Sequence, residues 1–309
     1  MKTWLVTGGA GFIGSHLCEA LIGQGDRVVV LDDLSSGFEV NVPAGARLVV
    51  GDVADAAAVD PLVAEVDGCF HLAAIASVAR GVTEWVTTHR ANLTATVTLF
   101  DAIRRSGRTV PVVYASSAAV YGDCQTVPIT EDADRVPLSA YGADKYGCEL
   151  HARVASHVHG IPTTGLRFFN VYGPRQDPRS PYSGVISIFC DRLRRGEPID
   201  IFGDGQQTRD FVYVRDVVAA LTAAMARASL TASVFNVCTG RPTTVLDLAA
   251  TIATLAGKQP DIRFKPARAG EIRHSLGDPS RVRAALGLNE PQALRDGLAD
   301  VLAWLATTA

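Results

Sequence analysis

Three sets of residues in this sequence have the types and spacing to act together on an alcohol. Tyr141 and Lys145, in the run Tyr-Gly-Ala-Asp-Lys, set a phenol and an ammonium four residues apart, which on a helix is one face. A phenol ordinarily gives up its proton near pH 10. An ammonium beside it favours the phenolate and so supplies a base usable at neutral pH. Ser117, in the upstream pair Ser116-Ser117, is placed to hydrogen-bond the same substrate oxygen. The third set opens the chain: in Thr7-Gly8-Gly9-Ala10-Gly11-Phe12-Ile13-Gly14, glycines at 8, 11 and 14 let backbone approach a pyrophosphate at the start of a helix. A Tyr-x-x-x-Lys match alone is as readily core packing. Its place behind a glycine cradle and a serine pair makes it a candidate for hydroxyl deprotonation coupled to hydride transfer.

The acids after the first strands extend the cofactor reading. Asp32 closes the second apolar run, where a carboxylate can accept from both ribose hydroxyls and would repel a 2′-phosphate. With no arginine beside it, NAD is favoured over NADP. Asp52 and Val53 follow the third run and are placed to meet the adenine.

The elements that must position these groups alternate along the chain. Short apolar runs at 3–6, 27–31, 48–50, 68–72, 110–114 and 163–167 read as buried strands. Between them lie segments of helical periodicity, including one long helix over 91–106 and another over 140–157. The fold class this predicts is α/β: a Rossmann-type doubly wound parallel sheet with a smaller C-terminal substrate-binding α/β domain. We read residues 1–170 as the dinucleotide domain and 171–309 as the substrate domain, with a segment near 208–240 returning to the first.

Composition restricts the partners. At 309 residues, 48% apolar and 20% charged, with a net charge of −3, the chain lacks the basic balance expected of a nucleic-acid or anionic-membrane binder. No apolar stretch reaches the length of a membrane span. The six cysteines show no Cys-x-x-Cys spacing, which suits reduced thiols and a cytoplasmic location. His151, His157 and His159 cluster without a cysteine or acid to complete a metal site, so no metal is expected.

At this point a family resemblance becomes specific. The chain resembles the extended short-chain dehydrogenases/reductases of the nucleotide-sugar epimerase/dehydratase group, most of all the UDP-glucose 4-epimerases. The resemblance is carried by Thr7–Gly14, His71-Leu72-Ala73-Ala74, Ser116–Gly122, Tyr141–Lys145, Arg167–Gln176 and Gly203–Val212, and it runs almost end to end. It implies tightly bound NAD contacted by Gly8, Gly11, Phe12, Ile13, Asp32, Asp52, Val53, Leu72, Ala73, Ala74, Tyr141 and Lys145. Tyr141 would take the proton of the sugar 4-hydroxyl while hydride passes from C4 to NAD. The 4-keto sugar would then turn, and hydride would return to its other face. Lys145 would hold the nicotinamide ribose, and Ser117 would bond the 4-oxygen. Asn170 and Arg209 would meet the diphosphate, Arg268 a phosphate and Glu271 the uridine ribose, with Ser77 and Arg80 bordering the sugar. A UDP-sugar substrate and a homodimer, formed by the helices near 91–105 and 143–156, are the implied partners.

Two departures narrow the activity. Ala118-Ala119 stands where the related dehydratases and decarboxylases carry acids, which speaks against elimination and decarboxylation. Ser275 stands where hexose-restricted epimerases carry a bulky aromatic, so the pocket is expected to admit a 2-acetamido group. Competing readings are a UDP-glucuronate 4-epimerase, a net NAD-dependent oxidoreductase, and a non-catalytic NAD-binding protein.

Overall fold

A computed structural model describes residues 1–178, 184–267 and 272–307. Six β-branched or apolar runs form strands β1 (Thr3–Thr7), β2 (Arg27–Asp32), β3 (Ala46–Val50), β4 (Gly68–His71), β5 (Val112–Ser117) and β6 (Thr163–Phe168). Helices α1 (Phe12–Gly23), α2 (Ala56–Val63), α3 (Val78–Thr83), α4 (Trp85–His89), α5 (Ala95–Ser106) and α6 (Ala140–His159) lie between them. Then follow β7 (Asn170–Tyr172), α7 (Val185–Arg195), β8 (Ile199–Phe202), β9 (Thr208–Tyr213), α8 (Val214–Met225), β10 (Ser233–Val237), β11 (Pro242–Thr244), α9 (Val245–Ala256), β12 (Ile262–Lys265), α10 (Ser280–Leu286) and α11 (Leu294–Thr307).

The main sheet has seven strands in the order β10-β6-β5-β4-β1-β2-β3, and every pairing in it is parallel. A parallel sheet needs cover on both faces, and strand alternation supplies two apolar sets. Val6, Val30, Phe70 and Val113 pack with Leu17 and Leu21 of α1 and Val217, Leu221 and Ala224 of α8. Leu5, Leu31, Cys69 and Tyr114 pack with Leu62 of α2, Leu99 and Ile103 of α5, and Cys148 and Ala152 of α6. Each fully buried leucine or isoleucine contributes about 2 kcal/mol relative to exposure. The sheet order reverses beside β1, so the carboxyl ends of β1 and β4 open a crevice of the kind that binds ligands in such folds.

The C-terminal part adds two small sheets, β11-β9-β7 and β12-β8, around a third core of Tyr172, Phe189, Ile201, Leu248, Ile252 and Leu298. One expectation is corrected. The stretch 91–106 is not one regular helix: Arg90–Thr94 is a π-helical turn between α4 and α5. Among the described residues no helix is long and apolar enough to cross a membrane. All six cysteines are free, five of them buried.

Candidate active site

The glycine turn after β1 is built by close approach. A Cβ on Gly14 would lie 2.1 Å from the carbonyl oxygen of Gly8, and one on Gly8 would lie 2.7 Å from the amide nitrogen of Ala73. Gly8 also has φ +72°, a backbone state that disfavours side chains. The turn thereby rests against Leu72-Ala73 at the end of β4. Ser15 N–H makes the first α-type bond to Gly11 O, at 3.1 Å. The N–H groups of Phe12 and Ile13 therefore precede the helical ladder and lead the positive end of α1. A cradle without side chains, at a helix N-terminus, fits a dinucleotide diphosphate.

Asp32 is buried at the end of β2. Its Oδ2 accepts from Ala10 N (2.9 Å) and its Oδ1 from Leu34 N (2.9 Å). Burial raises its pKa, opposed by these two amide bonds. The carboxylate thus shapes the cradle itself while keeping lone pairs for a ribose. Asp52 accepts from Ala54 N and from the Arg90 guanidinium (2.9 Å). Val53 turns its side chain into the core beside α2.

Beneath the cradle lies a buried hydrogen-bond chain. Thr96 Oγ1–H donates to Asn92 O (2.7 Å), so His71 Nε2–H donates to Thr96 Oγ1 (3.0 Å). The bare Nδ1 then accepts from Thr7 Oγ1–H (2.8 Å), and Thr7 Oγ1 accepts from Leu72 N and Ala73 N, each at 3.2 Å. Asn92, in the π-helical turn, accepts from Ile75 N at 2.8 Å and donates to Ile75 O. Burial, with a smaller push from Lys145, drives the His71 pKa down to about 3 and keeps the ring neutral. This chain fixes the strand ends that carry Leu72, Ala73 and Ala74. Ser77, buried, caps α3 by accepting from Arg80 N (2.9 Å), and Arg80 pairs with Glu84.

Tyr141 and Lys145 open α6. Ser139 caps that helix by accepting from Gly142 N (3.0 Å), and Gly160 ends it with φ +66°. Gly142 lets α6 press on the turn after β5, since a Cβ there would lie 2.6 Å from Ala119 O. Ser117, at the end of β5, opens that turn by accepting from Ala119 N (3.2 Å), which leaves its hydroxyl proton to donate elsewhere. Lys145 is 3% exposed, and its ammonium stands 5.9 Å from the centroid of the Tyr141 ring.

The three-stranded small sheet gathers the substrate-side candidates. Asn170 of β7 pairs with Phe211 of β9. Arg209 donates to Thr208 O at 2.8 Å, and Ser275 N–H donates to that same carbonyl at 3.1 Å. Asn170, Arg209 and Ser275 therefore share one small sheet region, held by Asp210, which accepts from Thr239 and from Gly240 N (2.9 Å). Arg268 and Glu271 lie outside the described residues. Sequence reasoning assigned no role to Glu149, Arg167, Tyr121 and Asn236, two of them inside the family-like segments, which form a buried polar cluster behind α6. The spacing of Glu149, four residues beyond Lys145, was the available signal. Among the described residues no group of three or more potential metal ligands is present.

A parallel sheet with a glycine cradle, an acid-terminated second strand and a serine–tyrosine–lysine set at its carboxyl edge defines a dinucleotide-dependent enzyme acting on a hydroxyl-bearing carbon. The chain belongs to the NAD dependent epimerase/dehydratase family, whose model matches residues 4–238, and it is an NAD-dependent epimerase. It is 39% identical over 306 residues to a UDP-glucose 4-epimerase of Mycolicibacterium smegmatis, covering 97% of this chain and 96% of that protein. Its fold superposes on the crystal structure of a UDP-glucose 4-epimerase from Thermotoga maritima with UDP-glucose, at a TM-score of 0.95 and 36% identity, over 99% of each chain. It also matches a UDP-N-acetylglucosamine 4-epimerase of Methanobrevibacter ruminantium, at a TM-score of 0.94 and 34% identity, over 100% of this chain and 99% of the other.

Proposed function

We propose that the protein is a UDP-sugar 4-epimerase of the UDP-glucose/UDP-galactose type, working as a homodimer with NAD held through the whole cycle. The observation that carries this is the pairing of a buried Lys145 ammonium with the Tyr141 ring, 5.9 Å away, on a helix pressed against the Ser117 turn. When bound, NAD supplies a reversible hydride acceptor for the sugar C4. The residues do the rest. Tyr141 takes the 4-hydroxyl proton and gives it back. Lys145 keeps positive charge beside the phenolate and reaches the nicotinamide ribose. Ser117 donates to the 4-oxygen. Gly8, Gly11, Phe12 and Ile13 hold the diphosphate of the cofactor, Asp32 its ribose, and Asp52 and Val53 border the adenine.

Residues 1–170 would carry the cofactor and 171–309 the nucleotide sugar, with the segment near 208–240 serving both. Asn170 and Arg209 would meet the substrate diphosphate, as would Arg268, and Glu271 the uridine ribose. Ser77 would border the sugar. Ser275, a small side chain beside Thr208, leaves space for a 2-acetamido group, so N-acetylated sugars are included among the substrates. Exposed Val97, Leu150, Val154 and Val158 on α5 and α6 support the homodimer, since apolar side chains gathered on adjacent helices call for cover.

The purified protein, with no cofactor added, is incubated separately with UDP-glucose, UDP-N-acetylglucosamine and UDP-glucuronate. The expected result is conversion of the first two to their 4-epimers. Conversion of the uronate alone would replace the substrate assignment. Failure with all three, with or without added NAD, would overturn the reading. Refusal of the acetamido sugar alone would remove the role given to Ser275.

A further inference from the structure

Behind the candidate catalytic pair, three neighbouring strands carry polar residues in one row. Ser116 of β5 is in register with Arg167 of β6, and Arg167 with Asn236 of β10. All three are at most 4% exposed. The row lies on the face covered by α6, and of the two buried carboxylates of α6, Asp144 and Glu149, it is Glu149 that meets it. Glu149 Oε1 accepts from Ser116 Oγ–H (2.5 Å) and from Arg167 Nε–H (2.8 Å), and Oε2 accepts from an Arg167 terminal N–H (2.7 Å). The other Arg167 terminal nitrogen donates to Tyr121 Oη (2.6 Å) and Glu131 O (3.1 Å). Tyr121 in turn donates to Asn236 Oδ1 (2.6 Å).

Nothing in the stability of the sheet asks for this. An apolar row of similar volume holds a core at least as well as a buried ion pair. What the ionic row adds is direction. A planar guanidinium gripping a carboxylate through two parallel bonds fixes angle as well as distance, and the Ser116 bond adds a second line of sight. Tyr141, Lys145 and Glu149 follow one another at steps of four along α6. Turning or sliding Glu149 therefore turns or slides the ammonium and the phenol. Ser116, meanwhile, is joined in the chain to Ser117. One carboxylate thus links the helix that bears the base to the strand that bears the hydroxyl donor.

We propose that Glu149, clamped by Arg167 and Ser116, is the positioning residue of the site. It sets the rotation and height of α6 so that Tyr141 and Lys145 face Ser117, without touching the sugar or the cofactor. This rests on the reading of Tyr141, Lys145 and Ser117 as the reacting set.

The experiment starts with turnover of UDP-glucose, UDP-N-acetylglucosamine and UDP-glucuronate by the wild-type protein, and continues with whichever is converted. Absence of turnover with all three takes down the parent reading, and this proposal with it. Given turnover, Ser116→Ala removes one of the three bonds to Glu149 and leaves the ion pair in place. The expected result is a kcat lowered about tenfold or more, as small misplacements of reacting groups produce. KM should stay within about twofold and bound NAD be unchanged, because a shift of α6 leaves substrate and cofactor contacts elsewhere intact. The pH profile of kcat should shift with it. Glu149→Asp keeps the charge but shortens the reach, and should lower kcat in the same way while still retaining NAD. A Ser116→Ala protein that melts earlier but keeps wild-type kcat and pH profile would overturn the proposal, as would wild-type kcat in Glu149→Asp.

Discussion

On the proposed cofactor side of the crevice, the surface is made of backbone: Gly8, Gly11 and Gly14 pack so tightly that added carbons would sit 2.1–3.2 Å from neighbouring atoms, and the turn is shaped by amide bonds to the carbonyls of Leu31 and Gly8 and to the Asp32 carboxylate. On the proposed sugar side, Asn170 and Arg209 project from strands of three and six residues, Ser275 is held by its amide bond to Thr208 O, and Asp210 accepts from the Thr239-Gly240 turn. The first region has no slack and little room for substitution. The second can change its side chains while keeping its path.

The sharpest break falls between the two regions, at Tyr141. Tyr141→Phe should lower kcat about a thousandfold and leave bound NAD, read by acid release, at the wild-type amount. A loss under tenfold would remove Tyr141 from the role of base. Next in size is Gly14→Ala. Its Cβ would meet Gly8 O at 2.1 Å, and the displaced turn should cost about 3 kcal/mol, or roughly a hundredfold in NAD affinity. Full NAD content in that variant would show the turn to be more pliant than its packing implies.

The third concerns pH and belongs to the cofactor side alone. An unfolded histidine takes a proton near pH 6.5, whereas folded His71 resists until about pH 3. Across that window the unfolded chain binds more protons, so stability present above pH 6.5 is lost as the pH falls. Between pH 7 and pH 5 His71 should account for about 2 kcal/mol. Urea midpoints at the two pH values, for wild type and His71→Gln, check this: the variant should lose less on acidification. Smallest is Arg209→Ala, which should raise KM for UDP-sugars about tenfold through loss of a charged hydrogen bond, with NAD content untouched. An unchanged KM would take Arg209 out of the diphosphate site.

The six long strands and the cofactor turn were legible in the sequence because their causes are local. Each is a short apolar run, the first three closed by glycine or an acid, and burial on both faces writes itself as hydrophobicity. Strands β7, β9 and β11 were not legible. Their partners lie far along the chain, Asn170 against Phe211 and Thr243 against Arg209, and β7 and β11, at three residues each, have no period to read. The π-helical turn at Arg90–Thr94 was hidden for a related reason: Asn92 bonds to Ile75 and Thr96 to His71, contacts that no window around residue 92 contains. Within the site, Tyr141, Lys145 and Ser117 were found by type and spacing. The Ser116–Arg167–Asn236 row became visible only once β5, β6 and β10 stood side by side.

That third strand carries one more consequence. The chain leaves the main sheet after β6, builds much of the small sheets, and only then comes back with α8 and β10. A protein cut at residue 170 would keep every glycine of the cradle and the whole of Tyr141–Lys145. It would nevertheless expose the unpaired edge of β6 and the apolar face that Val217, Leu221 and Ala224 cover, an invitation to aggregate. The first 170 residues, the proposed cofactor half, are therefore not a detachable module. Their inheritance is bound to that of the sugar half, and any exchange of one for another by recombination has to respect a seam crossed more than once.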